Sequence, residues 1–160
     1  MTHVAPPVVH STFTIVREYP HAPARVFAAW ASIEAKSQWG PCHAHYTLDF
    51  RIGGHEITRG GENGGPVYAV DAIYHDIVQD ERIVYSYELR RDDVLLSVSV
   101  VSVEFDTEPA DAPDSTLGTR MIYTEQVIFL DGHDSLVHRE HGTQVGLDRL
   151  TVALQTAPQQ

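Results

Sequence analysis

The sequence has few of the features that mark secreted or membrane-spanning proteins. Cys42 is the only cysteine, so no internal disulfide can form. There is no run of about 18 apolar residues that could cross a bilayer. The N-terminal segment MTHVAPPVVHS has neither the basic start nor the apolar stretch of a signal peptide. These absences predict a soluble, cytoplasmic protein with no membrane partner.

Basic residues are also scarce. The 11 lysine and arginine residues are outnumbered by 22 aspartate and glutamate residues, which gives a formal net charge of −11 at pH 7. A surface of this sign is repelled by the phosphate backbone of DNA and RNA, which nucleic-acid binders contact through lysine and arginine. Nucleic acid is therefore excluded as a main partner. A length of 160 residues fits one domain with a single core.

The first helical signals lie near the start of the chain. Pro23 suits the first turn of a helix, where its missing N–H costs nothing. Three large apolar side chains then recur at helical spacing, namely Val26, Phe27 and Trp30. After the polar residue Ser32, residues 34–39 are long enough for one or two further turns, and Gly40 and Pro41 end them. The pattern predicts two short helices.

Seven segments have the β-branched and aromatic composition that is typical of strands. They comprise residues 13–19, 45–50, 55–59, 67–78, 82–91, 94–105 and 119–130. Short connections between consecutive segments indicate antiparallel neighbours. Residues 1–11 are expected to form a flexible N-terminal arm, and residues 12–156 a single domain.

The end of the chain changes to helical periodicity. Six residues share one helical face, namely Leu136, Glu140, Thr143, Leu147, Leu150 and Leu154. Asp134 or Ser135 can cap the start of this long helix. Gly142 and Gly146 lie inside it, where each costs about 1 kcal/mol relative to alanine. Two interpretations stay open: a neighbouring backbone or a bound molecule approaches the helix closely there, or the helix bends mildly.

Five motifs occur in a characteristic order. They are Pro23-x-x-Val26-Phe27-x-x-Trp30, Gln38-Trp39-Gly40-Pro41, Asp49-Phe50-Arg51-Ile52-Gly53-Gly54, Val78-Gln79-Asp80-Glu81-Arg82-Ile83-Val84 and Gly146-Leu147-Asp148-Arg149-Leu150. Together they resemble the family related to the C-terminal domain of the activator of Hsp90 ATPase, in the START and Bet v 1-like (SRPBCC) helix-grip superfamily. The resemblance implies an α+β helix-grip fold with a curved antiparallel sheet of six to seven strands. The sheet wraps around a long C-terminal helix, and two short helices follow strand 1.

The resemblance also implies a groove between the sheet and the last helix. Two departures from the family pattern, at Gln38 and at Thr143, are expected to enlarge or re-line this cavity rather than to alter the fold. The resemblance does not imply one activity.

Glu125 is the candidate catalytic residue. It shares strand parity with apolar neighbours such as Met121 and Tyr123, so it is expected to be a carboxylate in a largely apolar lining. Desolvation would favour its neutral form, which could donate a hydrogen bond or act as a general acid or base. The alternative is that Glu125 lies near a strand end or a bulge and reaches water.

Tyrosines provide an apolar body with a polar tip, which suits a cavity wall. Tyr85 and Tyr87 share parity with Leu89, and Tyr46 shares parity with Leu48. The full set of candidate ligand-binding residues is Trp30, Trp39, Tyr46, Tyr85, Tyr87, Met121, Tyr123, Glu125 and Thr143. For each single tyrosine, ordinary core packing is an alternative role.

Ten histidines invite a metal interpretation. His43 and His45 are neighbours on a strand, and His138 and His141 are neighbours on a helix with His133 close in sequence. No further ligands follow at a standard metal-site spacing, so neither a metal nor a cofactor is expected.

Three functions are compatible with these patterns. The first is a carrier, sensor or sequestering module that binds a small apolar or aromatic molecule. The second is a cyclase, dehydratase or hydrolase type of enzyme that uses Glu125 and a tyrosine as acid and base. The third is an interaction domain of the Hsp90 co-chaperone type. Exposed strand edges would also be compatible with a homodimer.

Overall fold

The chain forms a seven-stranded sheet with one long helix packed on its inner face. The computed structural model describes residues 4–41, 45–109, 117–132 and 134–156. The elements are β1 (Val9–Tyr19), α1 (Pro23–Ala28), α2 (Ile33–Lys36), β2 (His45–Leu48), β3 (His55–Gly60), β4 (Tyr68–Val78), β5 (Arg82–Arg91), β6 (Val94–Pro109), β7 (Leu117–Phe129) and α3 (Leu136–Thr156). The predicted α+β class and order of elements are confirmed.

All neighbouring strands are antiparallel, in the order β1-β7-β6-β5-β4-β3-β2. The first strand of the chain therefore closes one edge against β7, and β2 is the other edge. The pairing shifts between Tyr74 and Asp76 in β4 and between Leu89 and Arg90 in β5. Such irregularities bend the strands, which helps a sheet to curve around a helix.

Two element boundaries differ from the sequence-based expectation. β1 begins at Val9 instead of residue 12, because Val9 is already paired with Phe129. Part of the expected flexible arm is thus strand. β2 ends at Leu48, and Phe50 lies in the following loop, where it packs against Phe27 at a ring-centroid distance of 5.8 Å. Cys42 and His43 lie outside the described residues.

The two short helices close one end of the sheet. Pro23 begins α1 as expected, and the Ser32 hydroxyl caps α2 by accepting a hydrogen bond from the Ala35 N–H at 3.1 Å. The indole rings of Trp30 and Trp39 pack edge to face at 4.7 Å. The Trp39 Nε1–H also donates to the Ala29 carbonyl at 2.9 Å, so the ring joins α1 to the residues after α2.

α3 packs on the sheet through Leu147, Leu150 and Leu154, which are buried. Its start is capped by the Ser135 hydroxyl, which accepts from the His138 N–H at 3.3 Å. In the first turns, however, the buried residue is Arg139, whereas Glu140 is half-buried. No helix in the described part of the chain is both long enough and apolar enough to cross a membrane.

Candidate functional site

A cavity of about 640 Å³ lies between the sheet, the α2 region and the first half of α3. Its lining is dominated by aromatic side chains, which include both tryptophans of the chain and five of its seven tyrosines. The aromatic lining residues are Trp30, Trp39, Tyr46, Tyr68, Tyr85, Tyr87 and Tyr123. The volume falls within the range of about 300–1,000 Å³ that is typical of small-molecule sites.

Small side chains on the sheet leave the space open. Thr58, Val70 and Leu89 are consecutive partners across β3, β4 and β5, and all three line the cavity. In the next row, Ala72 of β4 lies between Glu56 and Tyr87. None of the β4 side chains in these rows is larger than valine. They therefore do not fill the space between the sheet and α3 at this point.

Glycines leave the space open from the side of the helix. Gly142 and Gly146 both line the cavity, and no atom of the described residues lies within 4 Å of the position that a Cβ would take on either one, apart from their own helix neighbourhood. The interpretation that a neighbouring backbone approaches closely is therefore wrong, whereas the approach of a bound molecule stays a prediction. The two positions face open space, which a bound molecule can use.

The cavity opens to solvent between α3 and the loop after α2. The lining residues that are exposed are Pro41, Tyr68, His138 and Gly142. They belong to the loop, to the start of β4 and to the first half of α3. The aromatic residues Trp30, Trp39, Tyr85 and Tyr123 are buried at the inner end. A molecule that enters beside His138 would thus contact these buried aromatic residues at the inner end of the cavity.

Glu125 is completely buried and is held by four donors. Its Oε1 accepts from the Tyr87 hydroxyl at 2.6 Å, the Ser99 hydroxyl at 2.7 Å and Arg139 Nη1 at 2.8 Å. Its Oε2 accepts from the Tyr123 hydroxyl at 2.8 Å. The expectation of a carboxylate in a largely apolar lining is wrong, and so is the alternative of a water-exposed strand end. We call this group of five residues the arginine cluster.

Arg139 extends the arginine cluster to the start of α3. Its Nη2 donates to the Ser97 hydroxyl at 2.6 Å and to Asp134 Oδ2 at 2.9 Å. Burial alone would lower the pKa of Arg139, but Tyr87 and Glu125 outweigh burial and raise it above its ordinary value. Burial, followed by the charge of Glu125, raises the pKa of Tyr87 well above its usual range. Tyr87 therefore stays a neutral hydrogen-bond donor.

A second polar cluster lies on the other side of the cavity, between α2 and β3. Lys36 Nζ is 2.7 Å from Glu56 Oε1 and 2.6 Å from Oε2, and the Tyr46 hydroxyl donates to Oε2 at 3.1 Å. Lys36 and Glu56 are 6% and 8% exposed. Burial and the neighbouring Glu56 raise the pKa of Tyr46 well above its usual range, so its phenol also stays protonated. We call these three residues the lysine cluster.

Two buried polar atoms, on residues that line the cavity, have no partner within the described residues. They are the indole Nε1 of Trp30 and the hydroxyl Oγ1 of Thr58, and both are buried. A buried donor without a partner costs about 1–3 kcal/mol. Both atoms are also shielded from the cavity, so the cost falls on the stability of the wall.

Comparison with known proteins places the chain in a family. The family model for activator of Hsp90 ATPase homolog 1-like protein matches residues 20–155. The chain belongs to this family. No curated protein matches the sequence.

Solved structures of similar proteins have the same architecture as this family member. A protein from Rhizobium leguminosarum is 38% identical, with a TM-score of 0.86 over 97% of this chain and 100% of its own. A protein from Rhizobium loti is 42% identical, with a TM-score of 0.81 over 92% of this chain and 99% of its own. Ara h 8.0201 is 15% identical with a TM-score of 0.66 over 93% of this chain and 100% of its own, which shows the fold alone.

Seven of the nine candidate ligand-binding residues line the cavity in this member of the family. They are Trp30, Trp39, Tyr46, Tyr85, Tyr87, Tyr123 and Thr143. Met121 is instead buried in the core, and Glu125 lies behind the wall formed by Tyr87 and Tyr123. That any of them contacts a ligand stays a prediction.

The sequence analysis missed Lys36, Glu56 and Arg139. A signal for Arg139 was its place on α3, one turn before Thr143 and on the same face. The pairing of Lys36 with Glu56 had no local signal, because the two residues are on different elements. Among the described residues, no three or more histidine, cysteine, aspartate or glutamate side chains form a metal-binding group. His43 and His133 lie outside the residues that the structure describes.

Proposed function

We propose that this protein binds a small apolar or aromatic molecule in the cavity between the sheet and α3. The observation that carries the proposal is the cavity of about 640 Å³ whose wall contains both tryptophans and five of the seven tyrosines of the chain. Burying this much aromatic surface against a ligand is a strong source of affinity. Membership of a ligand-binding helix-grip superfamily agrees with it.

The charges around the cavity favour an uncharged ligand. Lys36 is paired with Glu56, and Arg139 is paired with both Glu125 and Asp134. A charged head group would have to break one of these buried pairs, which is costly. An uncharged molecule leaves all of these pairs intact.

Binding can be measured directly, because both tryptophans line the cavity. We expect the uncharged aromatic probe 2-naphthol to quench the intrinsic fluorescence in a saturable way. Gly146→Met, which places a side chain in the open space beside α3, should weaken this binding by about tenfold or more, since it removes space for a probe of this size. Val152→Met on the exposed side of α3 is the matched control and should leave binding unchanged.

Native mass spectrometry of the purified protein provides a second test. We expect a co-purified small molecule that is lost from the Gly146→Met variant. Absence of both a co-purified molecule and saturable 2-naphthol binding would contradict the proposal.

The alternatives have less support. Glu125 is already bound by four donors and does not line the cavity, so we do not assign it an acid–base role. For a co-chaperone role, the family name is the support, and no contact among the described residues adds to it. A cytoplasmic location and a homodimer through the edge strands β1 or β2 stay proposals that native mass spectrometry and fractionation can test.

A further inference from the structure

Lys36 is the only lysine in the chain. The other ten basic side chains are arginines. This single lysine is 6% exposed and lies in the wall of the cavity. A side chain that is normally found on protein surfaces is therefore present once, in the interior of a binding site.

The surroundings of the ammonium group are aromatic and acidic. Lys36 Nζ lies 5.3 Å from the ring centroid of Trp30 and 5.9 Å from those of Trp39 and Tyr85. Its carboxylate partner is Glu56, at 2.6 and 2.7 Å, and the orientation of Glu56 is fixed by the Tyr46 hydroxyl. Bulk water has little access to this amine.

A buried ion pair alone does not explain the choice of lysine. Arginine forms stronger, bidentate pairs with carboxylates, and this chain uses it for the buried pair of Arg139 with Glu125. Lysine has a chemical property that arginine lacks at neutral pH, because its amine can lose a proton and become a nucleophile. Glu56 is placed to take that proton over a distance of 2.6 Å.

We propose that Lys36 forms a reversible imine with the carbonyl group of an aldehyde or ketone bound in the cavity. This inference rests on the proposed function, because the carbonyl compound occupies the same cavity. It adds a covalent step that simple binding does not require.

The step balances within the lysine cluster and the ligand. The Lys36 ammonium transfers one proton to the Glu56 carboxylate, and the free amine attacks the carbonyl carbon as the C=O π bond breaks. One proton then moves from the nitrogen to the oxygen, which gives a neutral carbinolamine. Glu56 returns the proton to the carbinolamine oxygen, which leaves as water while the nitrogen lone pair forms the C=N bond. The products are one water and a protonated imine paired with the Glu56 carboxylate, so the total charge is unchanged. The apolar walls slow hydrolysis by limiting access of water.

Reductive trapping tests the proposal on the wild-type protein. We expect incubation with 2-naphthaldehyde and cyanoborohydride to give one internal adduct, which peptide mapping places on Lys36. The N-terminal α-amino group of the same chain is the reference amine. Labelling of Lys36 should be at least about tenfold faster than labelling of this reference, because the cavity positions the aldehyde beside the amine. An excess of 2-naphthol should block labelling of Lys36 but not of the reference.

Two variants separate the roles of the cluster. Lys36→Arg keeps the charge and should abolish the internal adduct. Glu56→Gln keeps the shape but cannot shuttle the proton, so it should slow trapping at Lys36 by about 100-fold. Trapping in Glu56→Gln at the wild-type rate would overturn the role of Glu56. Circular dichroism of both variants is the control for correct folding.

The outcome also separates this inference from the proposed function. Labelling of the reference amine alone, with intact 2-naphthol binding, would overturn imine formation and leave the binding function standing. Absence of 2-naphthol binding together with unlabelled Lys36 would overturn both imine formation and the binding function.

Discussion

Arg139 Nη1 lies 2.8 Å from Glu125 Oε1, and this pair connects the first turns of α3 to the centre of β7. The Glu125 side chain is completely buried and that of Arg139 is 9% exposed. The pair therefore fixes the distance between α3 and the sheet at the point where the cavity begins. Because it also positions Tyr87 and Tyr123, it determines the shape of one cavity wall.

Removing either charge of this pair should destabilise the protein strongly. Arg139→Met leaves a buried carboxylate without its cation, and we expect the free energy of unfolding to fall by about 3–5 kcal/mol. The double variant Glu125→Gln/Arg139→Met should lose less than the sum of the single variants. Urea unfolding of the four proteins measures this coupling.

The exposed pair Arg17–Asp148, with 2.6 Å between Nη1 and Oδ1, is a matched control. Asp148→Asn should cost less than about 1 kcal/mol, because solvent screens the pair. Strictly additive effects at Arg139 and Glu125 would show that the two charges are not coupled.

Stability should fall at alkaline pH through the buried tyrosines. Burial is the main cause that raises the pKa of Tyr46, Tyr74, Tyr85, Tyr87 and Tyr123 above the ordinary value of about 10. A tyrosine whose pKa is higher in the folded than in the unfolded state contributes its full stabilisation below the unfolded-state pKa. That stabilisation is lost as the pH rises towards the folded-state pKa. Stability should thus be unaffected by these groups up to about pH 10 and fall above it by up to about 1.4 kcal/mol per pH unit for each tyrosine.

Tyr85→Phe isolates one of these groups. The Tyr85 ring packs against Tyr74 and Tyr87, which phenylalanine can reproduce. Urea unfolding of both proteins at a series of pH values above 10 should show a shallower decline for the variant. An identical slope would mean that Tyr85 ionises equally in the folded and unfolded states.

The fold could be predicted from local patterns, but the polar clusters could not. Local signals predict each helix, namely Pro23 for α1, Ser32 for α2 and the spaced leucines for α3. The alternation of β7 also correctly predicts that Glu125 points inward. In β3, by contrast, Glu56 and Thr58 face inward while Ile57 is 43% exposed, which reverses the usual alternation. The reason is long-range, because Glu56 is stabilised by Lys36 and Tyr46 from other elements.

At the start of α3, the helical face expected from the sequence contains Glu140, but the structure buries Arg139 instead. The reason is again long-range. Glu140 and Arg139 are adjacent, and both are charged, so periodicity does not distinguish them. Arg139 is the buried one because Glu125, Ser97 and Asp134 accept its hydrogen bonds. Helical periodicity identifies a face, whereas the partner on the sheet selects the residue.

Thr58 and Thr119 form a matched pair for testing the partnerless hydroxyl. Both are buried, but the Thr119 hydroxyl donates to the His21 carbonyl at 2.7 Å, whereas Thr58 Oγ1 has no partner in the described part of the chain. Thermal unfolding should show that Thr119→Val loses about 1–2 kcal/mol. Thr58→Val should be neutral or gain about 1 kcal/mol, because it removes a buried group without a hydrogen bond.

The glycines of α3 should show a conflict between stability and binding. Alanine at Gly142 or Gly146 restores helix propensity and meets no neighbouring atom of the described residues, so each variant should gain up to about 1 kcal/mol in urea unfolding. Because both positions line the cavity, Gly146→Ala should also reduce 2-naphthol binding, while Gly142→Ala at the exposed mouth should reduce it less. A gain in stability without any change in affinity at either position would mean that the ligand does not use the space that the two glycines leave.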